Sequence, residues 1–234
     1  MKDYKYIYGP VPSRRLGFSL GVDIIPLKTC TQNCIYCQLC KDSPQITERQ
    51  EFAPIDDVVA EVFSKIEEEK AIDCITICGS GEPTLHSSIG KLIEAIKEKT
   101  DKMVVVITNG TLLWQEQVRR DLAQADAVMP SLDGCDEETF QKINKPAEGF
   151  SFDRHVEGLV KFRNEYKGKI WLEMFMVEGV NTTPEHLEKF KTLIERINPD
   201  IVQLNTAVRP TTAAEVQIMK EQRLKQIAEV LAIR

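Results

Sequence analysis

No apolar run among the 234 residues approaches the roughly 20 needed to span a membrane. The opening "MKDYKYIYGP" has no apolar core of the kind that marks a secretory signal. These two absences predict a cytoplasmic protein with no membrane contact. An excess of cations is also lacking: net charge is −6, which argues against a general nucleic-acid binder, since such proteins need Lys and Arg to displace counterions from phosphates. Internal repeats, low-complexity tracts and interdomain linkers are absent as well. Hydrophobic residues make up 42% and charged residues 28%, ordinary values for a globular protein. One domain over 1–234 is expected, with 1–18 a Pro/Gly-rich segment before the main body, 19–234.

The charge is uneven. Residues 1–49 carry seven Lys/Arg (Lys2, Lys5, Arg14, Arg15, Lys28, Lys41 and Arg49) against four acids. The segment around the cysteines is the basic part of an acidic chain, so a local anionic ligand is compatible with the composition.

From residue 20 onward, short apolar runs alternate with amphipathic stretches. Strands are predicted at 20–26, 72–79, 102–110, 127–134, 169–179 and 200–208. Helices are predicted near 54–70, 87–99, 113–124, 136–166 (in two pieces, broken near Pro146 and Gly149), 183–197 and 213–232. Apolar residues at Ile55, Val58, Val59, Val62, Phe63 and Ile66 have helical spacing. Thr183 and Pro184 supply an N-cap and a first turn. Near-continuous apolar strands between amphipathic helices imply a parallel sheet covered by helices. Six such units give an α/β fold that is either a partial (β/α)6 barrel or an open doubly wound sheet. In both, functional residues belong at the C-terminal ends of the strands. "GSGEPTLH", "TNG", "SLDG", "EGVN" and "NTAVRP" all fall there.

The chain has seven cysteines, an odd number, and "CTQNCIYCQLC" places four of them within residues 30–40. In a reducing compartment such clustering points to metal or catalysis rather than disulfides. Two readings stand. Cys30, Cys34, Cys37 and Cys40 together close a zinc or iron–sulfur centre, making the protein an electron carrier or zinc module. Alternatively, Cys30, Cys34 and Cys37 wrap an iron–sulfur cube and leave one iron open, as catalytic metal sites generally do, with Cys40 a small packed residue beside the loop.

The spacing C-x3-C-x2-C, with Tyr36 just before the third cysteine, resembles the radical S-adenosylmethionine (SAM) superfamily, and the likeness extends over essentially the whole chain. The resemblance implies a partial (β/α)6 barrel, a [4Fe–4S] cluster on Cys30, Cys34 and Cys37, and S-adenosyl-L-methionine as the ligand of the open iron. It implies reductive cleavage of SAM to a 5′-deoxyadenosyl radical that abstracts hydrogen from a substrate. It further implies a one-electron reductant such as flavodoxin or ferredoxin.

"SGEP" resembles the family's glycine–glycine–glutamate–proline motif, with Ser80 replacing a glycine. By that likeness Ser80, Gly81 and Glu82 hold the SAM amino group. Asn109, Ser131 and Asp133 correspond by position to ribose and carboxylate contacts, and Asn205 and Tyr36 to adenine contacts. Glu173 interrupts the apolar run "WLEMFMV", and a buried carboxylate needs a partner. It is expected to face the barrel interior toward ribose or substrate, or else to need a Lys or Arg.

"YGPVPSRRLGFSLGVDIIPLKTC", "GEPTL", "SLDG" and "VQLNTAVRP" resemble the superfamily members related to the wyosine-type tRNA-modifying synthases. No cysteine precedes Cys30, so the upstream auxiliary cluster of those synthases has no ligands here, and the chain stops just after its sixth helix. A tRNA, a small molecule and a peptide of a partner protein, as in a glycyl-radical activase, all remain substrate classes at this stage.

Overall fold

The computed structural model describes residues 3–13, 15–39, 44–207, 211 and 216–233. Seven strands stand in chain order in one sheet: β1 (Ile7–Ser13), β2 (Gly17–Val22), β3 (Cys74–Ile77), β4 (Met103–Thr108), β5 (Ala127–Pro130), β6 (Lys169–Phe175) and β7 (Ile201–Asn205). β1 is antiparallel to β2, and every later pair is parallel. The chain returns between parallel strands through α1 (Ile55–Glu68), α2 (Ile89–Lys97), α3 (Glu116–Asp121), the pair α4 (Glu137–Asn144) and α5 (Phe152–Glu165), and α6 (Pro184–Ile197). α7 (Glu221–Val230) follows β7. Among the described residues β1 and β7 do not pair, so the sheet stays open as a partial barrel. No helix of the described chain is long and apolar enough to cross a membrane.

Both faces of the sheet are apolar, which is why its strands read as continuous hydrophobic runs. Ile75, Ile77, Val104, Val106 and Leu172 enter the large core under the helices. Cys74 and Val105, beside those residues in sequence, and Ala127 and Met129, which flank the outer-core Val128, form a second, inner core with Leu16, backed by Ile107 and Trp171. Side chains alternate along a strand. Continued toward the strand C-termini, the inner register passes from this apolar floor to Cys78, Asn109, Ser131, Glu173 and Asn205, which line a cleft above it.

Local signals end the helices where the sequence places them. Thr183 caps α6 by accepting from the His186 amide (3.3 Å), and Pro184 opens the helix. α4 stops at Asn144, before Lys145 in the left-handed region (φ 43°), and α5 starts after the Ser151 cap. The expected break at Pro146 and Gly149 lies between them.

Several elements are shorter than the sequence reading, α3 and β5 among them, and three differ in kind or position. β1 falls in the segment where no strand is predicted: Gly9, Pro10 and Pro12 disguise it, and proline is tolerated because this strand is at the sheet edge. β2 begins at Gly17 and ends at Val22, earlier than the predicted 20–26. α7 starts only at Glu221, because Val216 and Met219 are buried against other parts of the molecule before the helix begins.

Candidate active site

The cysteine loop is held at both flanks by backbone hydrogen bonds. The amides of Asn33 and Ile35 donate to the carbonyls of Asn144 (3.1 Å) and Ile143 (2.9 Å), and the Ala147 amide donates to Thr31 (2.9 Å). The last carbonyls of a helix have no partner within it. Those of α4 are therefore completed by the cysteine loop. On the other flank, Lys28 N donates to Ser80 O (2.6 Å) and Glu82 N to Thr29 O (2.9 Å), which fastens the "SGEP" turn to the start of the loop. Gly81 makes that approach possible: a Cβ there would lie 2.1 Å from the Thr29 carbonyl oxygen.

Cys30, Cys34 and Cys37 are reduced thiols, each half-buried. Cys30 and Cys34 open into the cleft, which measures about 620 Å³, a size typical of small-molecule sites. Burial pushes the Cys30 thiol up to about 11, and it raises Cys34 further. A side-chain N–H reaches every one of the three sulfurs. Asn109 Nδ2 stands 3.5 Å from Cys30 Sγ, Asn144 Nδ2 3.6 Å from Cys34 Sγ, and Lys28 Nζ 3.4 Å from Cys37 Sγ. Cys40 lies outside the described residues, as does Arg14.

Two buried carboxyl groups share the cleft. Glu82 Oε1 accepts from the Thr84 amide (3.0 Å), the Thr84 hydroxyl (2.6 Å) and the Thr108 hydroxyl (2.6 Å), and Oε2 accepts from the Asn109 amide (2.6 Å). Burial raises its pKa against the pull of these bonds. Hydrogen bonds to a charged group are worth about 1.5–3 kcal/mol each, so the four recover part of the desolvation cost while burial still outweighs them. Oε2 carries a single donor and has capacity for another. Asp133 accepts from the Tyr36 hydroxyl (2.6 Å), Asn144 Nδ2 (2.7 Å) and the Phe175 amide (2.8 Å), and burial raises its pKa too. Tyr36 also stacks on Phe175, with ring centroids 4.0 Å apart. Asp133 thus ties the third-cysteine end of the loop to α4 and β6.

Glu173 faces the interior and has a cation as well. Arg15, on the β1–β2 turn, donates from one terminal nitrogen to Glu173 (2.7 Å) and from the other to Asn205 Oδ1 (3.3 Å), while Asn205 Nδ2 donates to Glu173 (3.0 Å). Arg15 is the one cation lining the cleft among the described residues.

Of the residues named from sequence, Tyr36, Gly81, Glu82, Asn109, Ser131, Asp133, Glu173 and Asn205 meet at this cleft with Cys30 and Cys34. Cys37 does not line the cleft; its amide donates to the Cys34 carbonyl (3.0 Å). Ser80 turns away: its hydroxyl donates to Asp23 (2.5 Å), and it borders a separate depression near Tyr6 and Phe52. Sequence reasoning missed Tyr8, Cys78, Phe175 and Thr206. For Cys78 and Phe175 the two-residue register was the available signal. Tyr8 had none, because its strand was not recognised. It lies over Gly21, where a Cβ would stand 2.1 Å from its ring, and its hydroxyl is 3.1 Å from Cys78 Sγ. Outside the cleft, donor atoms of Cys135, Asp136 and His186 lie within 4.8 Å of one another. Asp136 is already engaged there as the α4 cap and by the Lys189 ammonium (2.8 Å).

The donor set fits an iron–sulfur cluster carrying SAM. Three reduced thiols come from one loop, each has an N–H beside it, and a buried carboxyl group shares the cleft with two of them.

Comparison with known proteins agrees. The sequence profile of the Radical SAM superfamily matches residues 24–204. A Brachyspira hyodysenteriae protein named GTPase Obg is 42% identical over 222 residues, 95% of this chain but 33% of that one. The UPF0026 protein MJ1312 of Methanocaldococcus jannaschii is 36% identical over 229 residues, 97% of this chain and 70% of its own. Among solved structures, a radical SAM methyltransferase from Sphaerobacter thermophilus superposes with a TM-score of 0.70 at 16% identity, over 92% of this chain and 63% of that one. The chain therefore spans a third of the first relative and under two thirds of the solved structure. With most of its length matched by the family profile, this chain belongs to the radical SAM superfamily of enzymes.

Proposed function

We propose that Cys30, Cys34 and Cys37 hold a [4Fe–4S] cluster whose open iron takes S-adenosylmethionine, and that the protein starts radical chemistry on a substrate bound in the same cleft. A bound cluster, once reduced by a carrier such as flavodoxin or ferredoxin, would supply the single electron for cleavage of SAM to methionine and a 5′-deoxyadenosyl radical able to abstract hydrogen. The observation that carries this reading is the convergence of the loop thiols Cys30 and Cys34 with Glu82 and Asn109 on one cleft. Glu82, with acceptor capacity left on Oε2, would accept from the SAM ammonium. Ser131 and Asn109 offer hydrogen bonds to ribose hydroxyls or the carboxylate, and Asn205 lies on the adenine side. Asp133, occupied by three donors of the chain, positions Tyr36 and the loop. Tyr8, Arg15 and Cys78 form the wall left to the substrate, which enters by the open side of the barrel. A reduced cluster and a small electron carrier suit the cytoplasm.

Anaerobic reconstitution with iron and sulfide, followed by dithionite and SAM, tests the reading. Iron loading and release of 5′-deoxyadenosine are expected. Cys34→Ala loses the cluster, and Cys40→Ala retains it. A tetrathiolate centre that needs Cys40 and whose spectrum ignores SAM overturns the proposal in favour of an electron-transfer or zinc module.

A further inference from the structure

Lys28 is an unusual lysine. It is 6% exposed, whereas lysine is almost never buried without a partner. Its backbone sits in the left-handed region at φ 58°, uncommon for any residue with a Cβ and a conformation that persists only where the surroundings impose it. The surroundings do so here: Lys28 N donates to Ser80 O at 2.6 Å, and the side chain runs inward until Nζ stands 3.4 Å from Cys37 Sγ. The ammonium thus points at one proposed cluster ligand, while Asn109 and Asn144 place neutral amide N–H groups at the other two. Three sulfurs have three donors from different parts of the fold, and one of those donors is charged.

Reduction adds a negative charge to a cluster. Donors to the sulfurs and a nearby cation stabilise the reduced form and raise the potential, and burial acts the other way. The carboxyl groups of Glu82 and Asp133 stand near Cys30 and Cys34 and also oppose reduction. We propose that Lys28 is a positioning residue for the cluster: its ammonium offsets these terms at Cys37 and sets the reduction potential within reach of the external electron carrier. The inference rests on the cluster assignment above and adds to it which residue tunes the cluster.

The experiment compares reconstituted wild-type protein with Lys28→Met, Lys28→Gln and Lys28→Arg. Iron content is measured first, and then the midpoint potential by redox titration monitored by electron paramagnetic resonance, without SAM. Lys28→Met and Lys28→Gln are expected to load iron as wild type does and to be about tenfold harder to reduce, which for one electron is about 59 mV lower. Lys28→Gln retains an N–H donor, so a shift equal to that of Lys28→Met assigns the effect to charge. Lys28→Arg is expected to stay near wild type. Unchanged or raised potentials in both neutral variants overturn the inference. So does loss of iron in both neutral variants with retention in Lys28→Arg, because that makes the role purely structural. Failure of the wild type to load iron instead removes the cluster assignment itself.

Discussion

His155 shows how one buried side chain near the cleft couples to pH. It is 4% exposed, stacks on Phe140 at 5.4 Å, and donates from Nε2 to the Ser131 carbonyl (3.0 Å). Burial pushes its pKa down to about 4 from an ordinary 6.5. Between those values the unfolded chain binds a proton that the folded chain refuses. The stabilising contribution is therefore present above pH 6.5 and is lost as pH falls toward 4. The full difference is about 3 kcal/mol. Urea unfolding of cluster-free protein at pH 7, 5.5 and 4.5 should show a steeper acid loss in wild type than in His155→Phe, which keeps an aromatic ring against Phe140. Parallel slopes would show that His155 is protonated in the folded state. Glu82 and Asp133, with pKa values raised by burial, slope the other way: their contribution is present at low pH and lost as pH rises through their folded values.

At the scale of elements, the site is made by loops that fasten to each other. The "SGEP" turn presses its backbone on Thr29, and Gly81 is the point of contact. Gly81→Ala would put a methyl group 2.1 Å from a carbonyl oxygen, and backbone cannot yield as a flexible side-chain tip can. A loss of about 1–3 kcal/mol follows from such overpacking, together with displacement of Cys30 and a fall in iron bound per chain. Thermal unfolding and iron analysis measure both, and normal loading in a stable variant would refute the coupling. The motif was legible in the sequence, and so were the alternating elements, because periodicity and turn chemistry are local. The direction of the Ser80 hydroxyl is not legible there, because it answers to Asp23, a residue 57 positions away that no local pattern announces. The three donors on Asp133 were equally hidden, since they come from the cysteine loop, α4 and β6. β1 went unread because its Gly and Pro content argues against a strand unless the strand is known to be at an edge.

Among the described residues the sheet is open between β1–β2 and β7, and the β1–β2 turn reaches across that side. Leu16 plugs the inner core under the cleft, and its neighbour Arg15 carries the bond to Glu173 on β6 and Asn205 on β7. The Arg15 side chain is 39% exposed and that of Glu173 17%, so water screens the pair and its net worth is on the order of 1 kcal/mol or less. Asn205 still donates to Glu173 without the arginine, which limits the cost of removing it. The brace therefore acts on local opening rather than on global stability, because regions open in units well below the full unfolding free energy. Arg15→Ala should leave the urea midpoint within about 1 kcal/mol of wild type while amide exchange accelerates in Ile7–Ser13 and Ile201–Asn205, with α2 and β4 unaffected. A large global destabilisation would mean that the arginine holds the fold itself. Unchanged exchange at both edges would mean that Leu16 and the β1–β2 ladder close the barrel without it.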